Sequence, residues 1–597
     1  MGRTVAFDSI APPPTIARIM EAKQIASHWL NHFAEHVYAG NVDDVVSYFQ
    51  PDGWLRDILI FTWDNRSLEG HDKIRAYLRD TLTTPNIRDI KLDERHHVAP
   101  YLGPVTAAHH GVGFGFTFQT DIAHGRGYIR LTQAQVSGEW KAISVSTEMM
   151  DLKGHEEERY ELGVYGGHTL AWESVKNSRR DYVEERPHVL IIGGGQAGLI
   201  VAARFKQMNL PAIVLERTAR VGDVWRNRYP TLTLHTPRNQ HQMLYQPFPS
   251  TWPRFTPKDK LADWLEQYAV TQDLVVWNNS QPLPQPKYDP LTKTWHVKVA
   301  RDGKIVELNP THIVVATGTL GAPRIPTIEG RDDFKGTIFH NADFHGAKPF
   351  EGQKVVVVGA GNTSADICQD LVFHGAASVT MVQRSSSCVV SAASAHVGLD
   401  MRFPEGVPTE VADFKNESLP FGMVKKLLSQ DEQKVWEDHK DMHEGLRKAG
   451  LKLNMGVDGA GLPSLVHQRL GGYWLDVGCS QLIIDGKVKV KQGVEIARLS
   501  SDLVHFTDGS TLEADVVILA TGYENIRETM RELFGDEVID KTGPVYGLDA
   551  EGEFRSSFRR SGHPGLWFAA GDFVYSRFYS KRLALELKAI QLGLIHP

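Results

Sequence analysis

The chain has 597 residues, and its 65 Lys and Arg against 72 Asp and Glu give a formal net charge of −7. That length exceeds one hydrophobic core and predicts about two to four domains, and a mildly acidic chain without a basic run is not expected to bind nucleic acid. Three cysteines without a short-spaced pair exclude a disulfide framework and a zinc site, so we expect no metal and a reducing, cytoplasmic location. No run of about 18 apolar residues occurs, so no transmembrane segment is expected.

Residues 16–150 predict a separate α+β domain. Apolar residues at helical spacing dominate up to residue 82, and strand patterns follow from Ile87 to Met149. Helices followed by a meander of antiparallel strands predict a small cone-shaped sheet wrapped on helices. Residues 151–186 are charged and lack a clear period, so we interpret them as a linker.

A strand pattern at 188–192 runs directly into a glycine-rich turn and then a helix. The first glycine permits a tight bend, the second lets a pyrophosphate approach the backbone, and the third permits close packing of helix on strand. The next strand ends in Glu216, which can accept hydrogen bonds from ribose hydroxyls. We therefore expect the first dinucleotide to contact Gly193, Gly195, Gln196, Ala197, Gly198, Glu216 and Arg217.

A second strand, glycine-rich turn and helix lie at 354–373. In this turn Ser364 replaces the third glycine, and the following strand ends in Arg384 and Ser385 rather than in an acid. An acid would repel a 2′-phosphate, whereas Arg384 can pair with it and Ser385 can donate a hydrogen bond, so NADPH is favoured over NADH. The predicted NADPH contacts are Gly359, Gly361, Asn362, Thr363, Ser364, Arg384 and Ser385.

Two dinucleotide sites in one chain require a division of labour, in which the first holds FAD and the second delivers hydride from NADPH. Strands alternate with helices in this part of the chain, so the predicted fold class is α/β with two Rossmann-like domains. We assign residues 187–350 and 505–597 to the FAD-binding domain. Residues 351–504 are assigned to the NADPH-binding domain, which carries a helix-rich insertion between Ser385 and Gly471.

Further motifs follow in a fixed order. They are Gly222-Asp223-Val224-Trp225, Ala316-Thr317-Gly318, the fingerprint stretch Phe334–Phe344, Ala520-Thr521-Gly522-Tyr523 and Gly571-Asp572. Together they make the chain resemble the class B flavin-containing monooxygenases, most closely the plant YUCCA branch. The resemblance implies that Gly222, Trp225, Gly318 and Asp572 contact FAD, and that Thr521 and Gly522 contact NADPH.

The resemblance also implies an NADPH-dependent flavin monooxygenase, in which reduced FAD and oxygen form a C4a-hydroperoxide that oxygenates a small organic substrate. N- and S-oxygenating members carry an Asn six residues after a Tyr, whereas here His235 follows Tyr229, as in the YUCCA pattern. This favours oxidative decarboxylation of an aryl-pyruvate, with N- or S-oxygenation as the alternative. His235 and Asn362 are the candidate catalytic residues, Asn362 as a group that orients the nicotinamide. We interpret His340 as a link between the two domains.

The N-terminal region resembles SnoaL-like cone domains in its element order and in the segments Trp54–Asp57 and Gly70–Asp72. Such domains serve as enzymes, ligand pockets or dimerisation scaffolds, so we favour a structural or partner-binding role, including homo-oligomer formation. Its candidate pocket residues are Asp57, His71, His96 and His97.

Two other functions are compatible with the same pair of dinucleotide-binding folds. A pyridine nucleotide–disulfide reductase needs a redox cysteine pair, and Cys368 and Cys388 stand 20 residues apart. A flavin-binding, redox-regulated protein that recruits a partner through its N-terminal region is the second. Binding of FAD without consumption of oxygen would favour it.

Overall fold

The computed structural model describes residues 16–158 and 170–597, and within them the chain forms two compact units. The N-terminal unit comprises residues 16–156 and 415–423, and the main unit comprises the remaining residues. Residues 159–169 of the predicted linker lie outside the described part. No helix in the described ranges is long and apolar enough to cross a membrane.

The N-terminal unit contains three helices and a seven-stranded sheet of order β2-β1-β7-β6-β5-β3, with β4 paired to β5. Its elements are α1 (Ile16–Ala39), α2 (Val42–Ser47), β1 (Phe49–Ile58), β2 (Asn65–Glu69), α3 (Gly70–Thr81), β3 (Arg88–Asp93), β4 (Tyr101–Pro104), β5 (His110–Gln119), β6 (Ala123–Gln133) and β7 (Trp140–Leu152). Helix α1 buries Ala22, Ala26, Trp29, Phe33 and Val37, whose spacing of three or four residues places them on one apolar face.

The predicted order of helices followed by an antiparallel meander is wrong at the start of this sheet. Strands β1 and β2 precede α3, and β1 pairs in parallel with β7. Residues 53–58 of β1 are all buried. The strand therefore lacks the alternation of polar and apolar residues that marks a half-exposed strand, and its pattern is not distinctive.

Residues 415–423, which we expected in the NADPH-binding domain, belong to the N-terminal unit. The buried guanidinium of Arg130 donates to Ser418 Oγ at 2.9 Å and to the carbonyl oxygens of Lys415 and Val105 at 2.8 and 3.1 Å. A buried charge needs such acceptors to offset its desolvation. The segment therefore completes the polar interior of this unit.

The main unit contains two five-stranded parallel sheets of Rossmann type, as predicted. The first has the order β10-β9-β8-β15-β28, and α5 connects β8 to β9. The elements up to β15 are α4 (Trp172–Glu185), β8 (Val189–Ile192), α5 (Gln196–Gln207), β9 (Ala212–Leu215), α6 (Asp223–Arg226), α7 (Lys258–Thr271), β10 (Val276–Trp277), β11 (Ser280–Pro282), β12 (Lys287–Asp289), β13 (Thr294–Arg301), β14 (Lys304–Leu308) and β15 (His312–Val315). Strands β11 to β14 form a separate antiparallel sheet.

The second parallel sheet has the order β17-β26-β18-β19-β22, and α8 connects β18 to β19. Its elements and the helical insertion are β16 (Leu320–Pro323), β17 (Thr337–His340), β18 (Lys354–Val358), α8 (Asn362–Phe373), β19 (Ser378–Gln383), β20 (Cys388–Ser391), α9 (Ala392–Arg402), α10 (Thr409–Glu417), α11 (Phe421–Gln430), α12 (Glu432–Asp438), α13 (Lys440–Lys448), α14 (Gly461–Arg469), β21 (Tyr473–Asp476), α15 (Cys479–Ile484) and β22 (Val488–Gln492).

The rest of the chain adds β26 to the second sheet and β28 to the first. The last elements are β23 (Ile496–Ser500), β24 (Leu503–Phe506), β25 (Thr511–Glu513), β26 (Val516–Leu519), β27 (Tyr523–Asn525), α16 (Ile526–Thr529), α17 (Arg531–Phe534), α18 (Asp536–Ile539), β28 (Leu566–Phe568) and α19 (Phe573–Gln591). Strands β16 and β27 pair as an antiparallel ribbon that joins the two Rossmann sheets.

Strands β17 and β26 lie inside the segments that we assigned to the FAD-binding domain, but both belong to the second sheet. Residue Val355 of β18 pairs with Val516 of β26, and Thr337 of β17 pairs with the same residue from its other side. Alternate residues of β18 face two different apolar clusters, with Val357 in one and Val356 in the other. A strand at this position gains a sheet partner and a buried face on both sides.

Candidate functional site

The turn between β8 and α5 and the first turn of α5 contain tightly packed glycines and one open glycine, Gly195. A Cβ on Gly193, whose φ is +110°, would lie 2.5 Å from the carbonyl oxygen of Ala316. A Cβ on Gly198 would lie 2.0 Å from the carbonyl oxygen of Gly193, so neither position accepts a side chain. A Cβ on Gly195 would meet no protein atom within 4 Å. The backbone at the start of α5 therefore faces open space.

Glu216, at the end of β9, lies against this loop. Its buried carboxylate accepts hydrogen bonds from Gly194 N–H at 3.0 Å and from the N–H and hydroxyl of Thr218 at 2.9 and 2.8 Å. The acid therefore fixes the loop from the position at which a ribose is expected. Arg217, the next residue, is exposed.

The predicted flavin-contacting segment reaches the same loop. Helix α6 begins after Gly222, whose φ is +92° and whose Cβ would lie 2.4 Å from the carbonyl oxygen of Ala262. The indole N–H of Trp225 donates to Oε1 of Gln196, the first residue of α5, at 3.4 Å. Ala197 follows and is buried. The two predicted FAD segments are thus adjacent in the fold.

Gly318 and Asp572 follow neighbouring strands of the first sheet, β15 and β28. Gly318 is exposed and has a φ of +107°. Asp572 is exposed and caps α19, where its Oδ1 accepts a hydrogen bond from Tyr575 N–H at 3.0 Å. Both residues stand at the carboxyl edge, where ligands of such sheets bind.

The second glycine loop, between β18 and α8, repeats the arrangement. A Cβ on Gly359, whose φ is +131°, would lie 2.3 Å from the carbonyl oxygen of Ala520. Ser364, which replaces the third glycine, is buried, and its Oγ lies 3.0 Å from that same Cβ position. A Cβ on Gly361 would meet only the carbonyl oxygen of Tyr473, at 3.8 Å. Thr363, between the two, is partly buried.

The residues present fit a dinucleotide at each loop. Neither α5 nor α8 has a side-chain cap, and the residue that precedes each helix, Gly195 or Gly361, borders open space. The first backbone N–H groups of an α-helix have no partner within the helix, and they attract a phosphate. Glu216 adds an acceptor for hydroxyl groups at the first loop, and Asp572 adds one at the carboxyl edge of the same sheet.

His235 and Asn362, the two candidate catalytic residues, lie side by side although 127 residues separate them. Nδ2 of Asn362 lies 3.4 Å from Nδ1 of His235, and Oδ1 of Asn362 accepts a hydrogen bond from Leu475 N–H at 3.1 Å. On its other side, Nε2 of His235 lies 3.4 Å from Oδ1 of Asp366. Tyr229 donates its hydroxyl to Oδ2 of Asp366 at 2.8 Å. The segment after α6 therefore meets the start of α8.

This cluster is shielded from water, since the side chains of His235 and Asp366 are 17% and 13% exposed. Burial alone lowers the pKa of His235, but the hydrogen bond and the negative charge of Asp366 outweigh it and raise the pKa above its ordinary value. Burial and the same carboxylate raise the pKa of Tyr229, which therefore stays protonated. The arrangement can hold and orient a proton beside the second loop.

Arg384 and Ser385 are exposed after the end of β19, as expected for residues that meet a 2′-phosphate. The Arg384 guanidinium is engaged by Glu495, with Nη1 and Oε1 3.0 Å apart. Both side chains are more than half exposed, so the pair contributes little and can be exchanged for a ligand phosphate.

Thr521 and Gly522 follow β26 at the carboxyl edge of the second sheet. Thr521 donates its hydroxyl to the carbonyl oxygen of Arg324 at 2.5 Å. His340 Nε2 donates to the carbonyl oxygen of Gly522 at 3.0 Å, while its Nδ1 accepts from Ala342 N–H. His340 therefore joins β17 to the turn between β26 and β27, and its interpretation as a link between the domains stays a prediction.

In the N-terminal unit the candidate pocket residues Asp57, His71, His96 and His97 do not line the apolar cavity of this unit. A cavity of about 30 Å³ is lined by apolar side chains and by Thr147. Asp57 lies outside that lining, and its carboxylate accepts from three backbone N–H groups and from the hydroxyls of Tyr77 and Thr147. His71 contacts the Phe49 carbonyl and His96 packs on His97. These contacts indicate structural roles.

Metal and thiol chemistry find no support in the described ranges. No group of three or more His, Cys, Asp or Glu side chains there could hold a metal ion. Cys368, Cys388 and Cys479 are free and buried, and burial raises the pKa of the Cys388 thiol to about 12. A buried thiol of that kind is unreactive, which disfavours the disulfide reductase.

Three contact residues were missed by sequence reasoning. Asp366 stands four residues after Asn362 on α8, so helical spacing alone places it on the same face. In the sequence, Tyr229 only marks the position from which His235 is counted, and no contact of its own is predicted. Glu495 carries no local signal, because it reaches Arg384 across 111 residues of chain.

The chain matches the model of the FMO-like family, described as flavin-binding monooxygenase-like, over residues 186–533. It is 32% identical over 390 residues to the probable indole-3-pyruvate monooxygenase YUCCA3 of Arabidopsis thaliana, covering 62% of this chain and 82% of that protein. It is 31% identical over 366 residues to the indole-3-pyruvate monooxygenase YUCCA1 of Oryza sativa subsp. japonica, covering 60% and 82%. A solved flavin-containing monooxygenase from Stenotrophomonas maltophilia is 18% identical with a TM-score of 0.45, covering 68% of this chain and 98% of that one.

Proposed function

Because the chain belongs to the flavin-binding monooxygenase-like family and is therefore an FAD- and NADPH-dependent monooxygenase, we propose that it decarboxylates an aryl-pyruvate oxidatively. The balanced reaction breaks the bond between the carboxylate and the 2-oxo carbon and releases carbon dioxide. One oxygen atom enters the new carboxylate and the other forms water. NADPH supplies two electrons.

The position of His235 carries this proposal. In N- and S-oxygenating relatives an Asn is expected at this place, whereas here an imidazole lies against the first residue of α8 and is paired with a carboxylate. Held by Asp366 on one ring nitrogen, the buried imidazole contacts the Asn362 amide with the other and excludes water from the reacting atoms. The relatives whose names include indole-3-pyruvate support the same substrate class.

We further propose the roles of the site residues. Bound FAD and NADPH supply the electrons and the oxygen activation. Gly195 and Gly361 leave room for the two pyrophosphates, and Glu216 and Asp572 accept from FAD hydroxyls. Arg217, Gln196, Trp225 and Gly318 surround the flavin, while Arg384, Ser385, Thr521 and Gly522 hold NADPH. Asn362 orients the nicotinamide end, and His235 shields the reacting atoms from water and holds a proton there.

The N-terminal unit is proposed to be a SnoaL-like domain with a structural or partner-binding role. Its mixed sheet with three helices and its mostly apolar cavity support that assignment. A homo-oligomer formed through this unit is proposed as well. A cytoplasmic location is supported by three free, buried cysteines.

Product analysis tests the substrate class. NADPH consumption by the FAD-loaded protein is measured with indole-3-pyruvate, phenylpyruvate, a thioether and a tertiary amine. The masses of the products formed under ¹⁸O₂ are determined by mass spectrometry. We expect aryl-pyruvates to accelerate NADPH consumption, with one carbon dioxide released and one ¹⁸O atom incorporated per NADPH coupled. Oxygenation of the thioether or amine alone would overturn the proposal.

A matched pair of variants ties the result to the site. His235→Asn is expected to lower carbon dioxide release at least tenfold while FAD stays bound. His374→Asn, which changes a half-exposed histidine at the far end of α8, is expected to leave the rate within twofold. Equal rates of carbon dioxide release in the two variants would show that His235 has no role in the reaction.

A further inference from the structure

A continuous chain of contacts runs from a buried tyrosine to the second glycine loop. The Tyr229 hydroxyl donates to Asp366 Oδ2 at 2.8 Å, and Asp366 Oδ1 lies 3.4 Å from His235 Nε2. His235 Nδ1 lies 3.4 Å from Asn362 Nδ2, and Leu475 N–H donates to Asn362 Oδ1 at 3.1 Å. The chain connects two segments of the main unit at the point where α8 begins.

The direction of each hydrogen bond in this chain of contacts follows from the Leu475 end, where the donor is fixed. Leu475 N–H can only donate, so the oxygen of the Asn362 amide points to Leu475 and its NH₂ group points to His235. His235 must then accept at Nδ1 and carry its proton on Nε2. That proton faces Asp366, which accepts it. A carboxylate on one ring nitrogen thus selects the tautomer that the amide on the other nitrogen requires.

We propose that Asp366 is a positioning residue, which holds His235 in the tautomer that fixes the Asn362 amide at the end of the second glycine loop, where α8 begins. The proposal rests on the proposed function, because it assigns Asn362 to the nicotinamide. Asp366 itself contacts neither cofactor nor substrate in this scheme. It acts through His235, as outer-shell carboxylates act through a histidine ligand.

Protonation of His235 is coupled to the orientation of the Asn362 amide. A second proton would sit on Nδ1 and face the NH₂ group of Asn362, so the amide would have to turn and lose Leu475. The groups around the ring are Asp366 and Asn362 at its nitrogens, Tyr229 behind Asp366, and His396, whose Nε2 lies 2.7 Å from the His235 carbonyl oxygen. Asp366 therefore favours the charged imidazolium, whereas the NH₂ group of Asn362 favours the neutral ring with an unprotonated Nδ1.

The first measurement is the proton titration of His235 by NMR in histidine-labelled, FAD-loaded protein, with the signal assigned by its loss in His235→Gln. In Asp366→Asn the apparent pKa of His235 is expected to fall by about one or more, because the opposite charge is lost. Asp366→Glu, which keeps the carboxylate, is expected to restore at least half of that difference. Asp370→Asn removes a carboxylate one turn later on α8 that contacts Thr231 and Ala347 instead, and is expected to leave the titration unchanged.

The second measurement is the dissociation constant of NADP⁺, read from flavin absorbance changes without substrate. We expect an increase of at least fivefold in Asp366→Asn and less than twofold in Asp370→Asn. A titration and an NADP⁺ affinity that are both unchanged in Asp366→Asn would overturn the proposal. Neither measurement needs oxygenation, so failure of the aryl-pyruvate assay leaves this result readable on its own.

Discussion

Gly195 and Gly361 occupy equivalent positions, each directly before the helix that follows a glycine loop, and a Cβ on either would approach no protein atom closer than 3.8 Å. Their φ angles of −79° and −108° suit any residue. The protein fold therefore does not require glycine at either position. We therefore expect the reason for glycine to be a bound dinucleotide that approaches the backbone.

Alanine at each position is expected to weaken one cofactor only. Gly195→Ala should lower FAD retention and Gly361→Ala should lower NADP⁺ affinity, each by about tenfold or more, which corresponds to about 1.4 kcal/mol of lost contact. Each substitution should change the free energy of unfolding by less than about 0.5 kcal/mol. FAD content after gel filtration and NADP⁺ titration measure the two effects. Loss of both cofactors in both variants would contradict the assignment of separate sites.

The Arg384–Glu495 pair predicts that the preference for NADPH over NADH can be weakened by one substitution and strengthened by another. Arg384→Ala should raise KM for NADPH by about tenfold, the loss of one charge-assisted phosphate contact, with little change for NADH. Glu495→Gln releases Arg384 and removes a charge that repels a phosphate, so it should lower KM for NADPH. Steady-state kinetics with both nucleotides measure the ratio. A ratio that Arg384→Ala leaves unchanged would place the 2′-phosphate elsewhere.

The two Rossmann sheets could be predicted because each signal is local. The strand, the glycine turn, the helix and the acid or arginine of the next strand all lie within about 30 residues, the size of one βαβ unit. The contact between His235 and Asn362 could not be predicted in this way. It depends on how the segment after α6 packs on α8, and no periodicity carries that information.

The assignment of β26 and of residues 415–423 to domains could not be predicted for a related reason. Strand β26 has the same apolar character as a strand of either sheet, since all four of its residues are buried. Only its hydrogen bonds to β17 and β18 assign it to the second sheet. Residues 415–423 likewise satisfy a buried arginine of the N-terminal unit from a distance of 285 residues in the chain. Such long-range pairing is set by the tertiary structure, and a single sequence does not show it.

The buried ion pair between Arg577 and Asp413 predicts a large effect on stability. Arg577 Nε and Nη2 donate to the two carboxylate oxygens at 2.8 and 2.7 Å, and both side chains are 3% exposed. Asp413→Asn leaves the guanidinium uncompensated in the interior, which costs about 3 to 5 kcal/mol. The thermal midpoint should fall by about 3 to 5 °C, because the entropy of unfolding is about 2.1 cal/mol/K per residue.

An exposed pair in the same insertion provides the control. Asp400 on α9 pairs with Arg254 at 2.6 Å, and the two side chains are 44% and 52% exposed. Asp400→Asn should cost less than about 1 kcal/mol because solvent already screens the pair. Differential scanning fluorimetry of both variants makes the comparison. Equal midpoints would mean that the carbonyl oxygens of Gln240 and Gln242, which already accept from Arg577 Nη1 at 2.8 Å, are sufficient without the charge of Asp413.

The last prediction concerns acid stability, which two packed histidines of the first sheet control. His188 and His312 stand edge to face with their ring centroids 5.3 Å apart. Burial, with the nearby Lys588, lowers the pKa of His188 to about 4, and burial, with His188, lowers the pKa of His312 to about 3. In the unfolded chain both titrate near their ordinary value of about 6.5. The unfolded state therefore binds protons that the folded state excludes.

For a depressed pKa of this kind, the stabilising contribution is complete above about pH 6.5 and is lost as the pH falls toward the folded value. For His312 the loss between pH 8 and pH 5 is about 2 kcal/mol. His312→Gln keeps an acceptor for the Trp567 indole, which donates to His312 Nδ1 at 3.3 Å, but cannot be protonated. Its thermal midpoint should fall less between pH 8 and pH 5 than that of the wild type. His296→Gln, at an exposed histidine, should fall as the wild type does, and parallel curves for all three proteins would exclude His312 as a source of acid sensitivity.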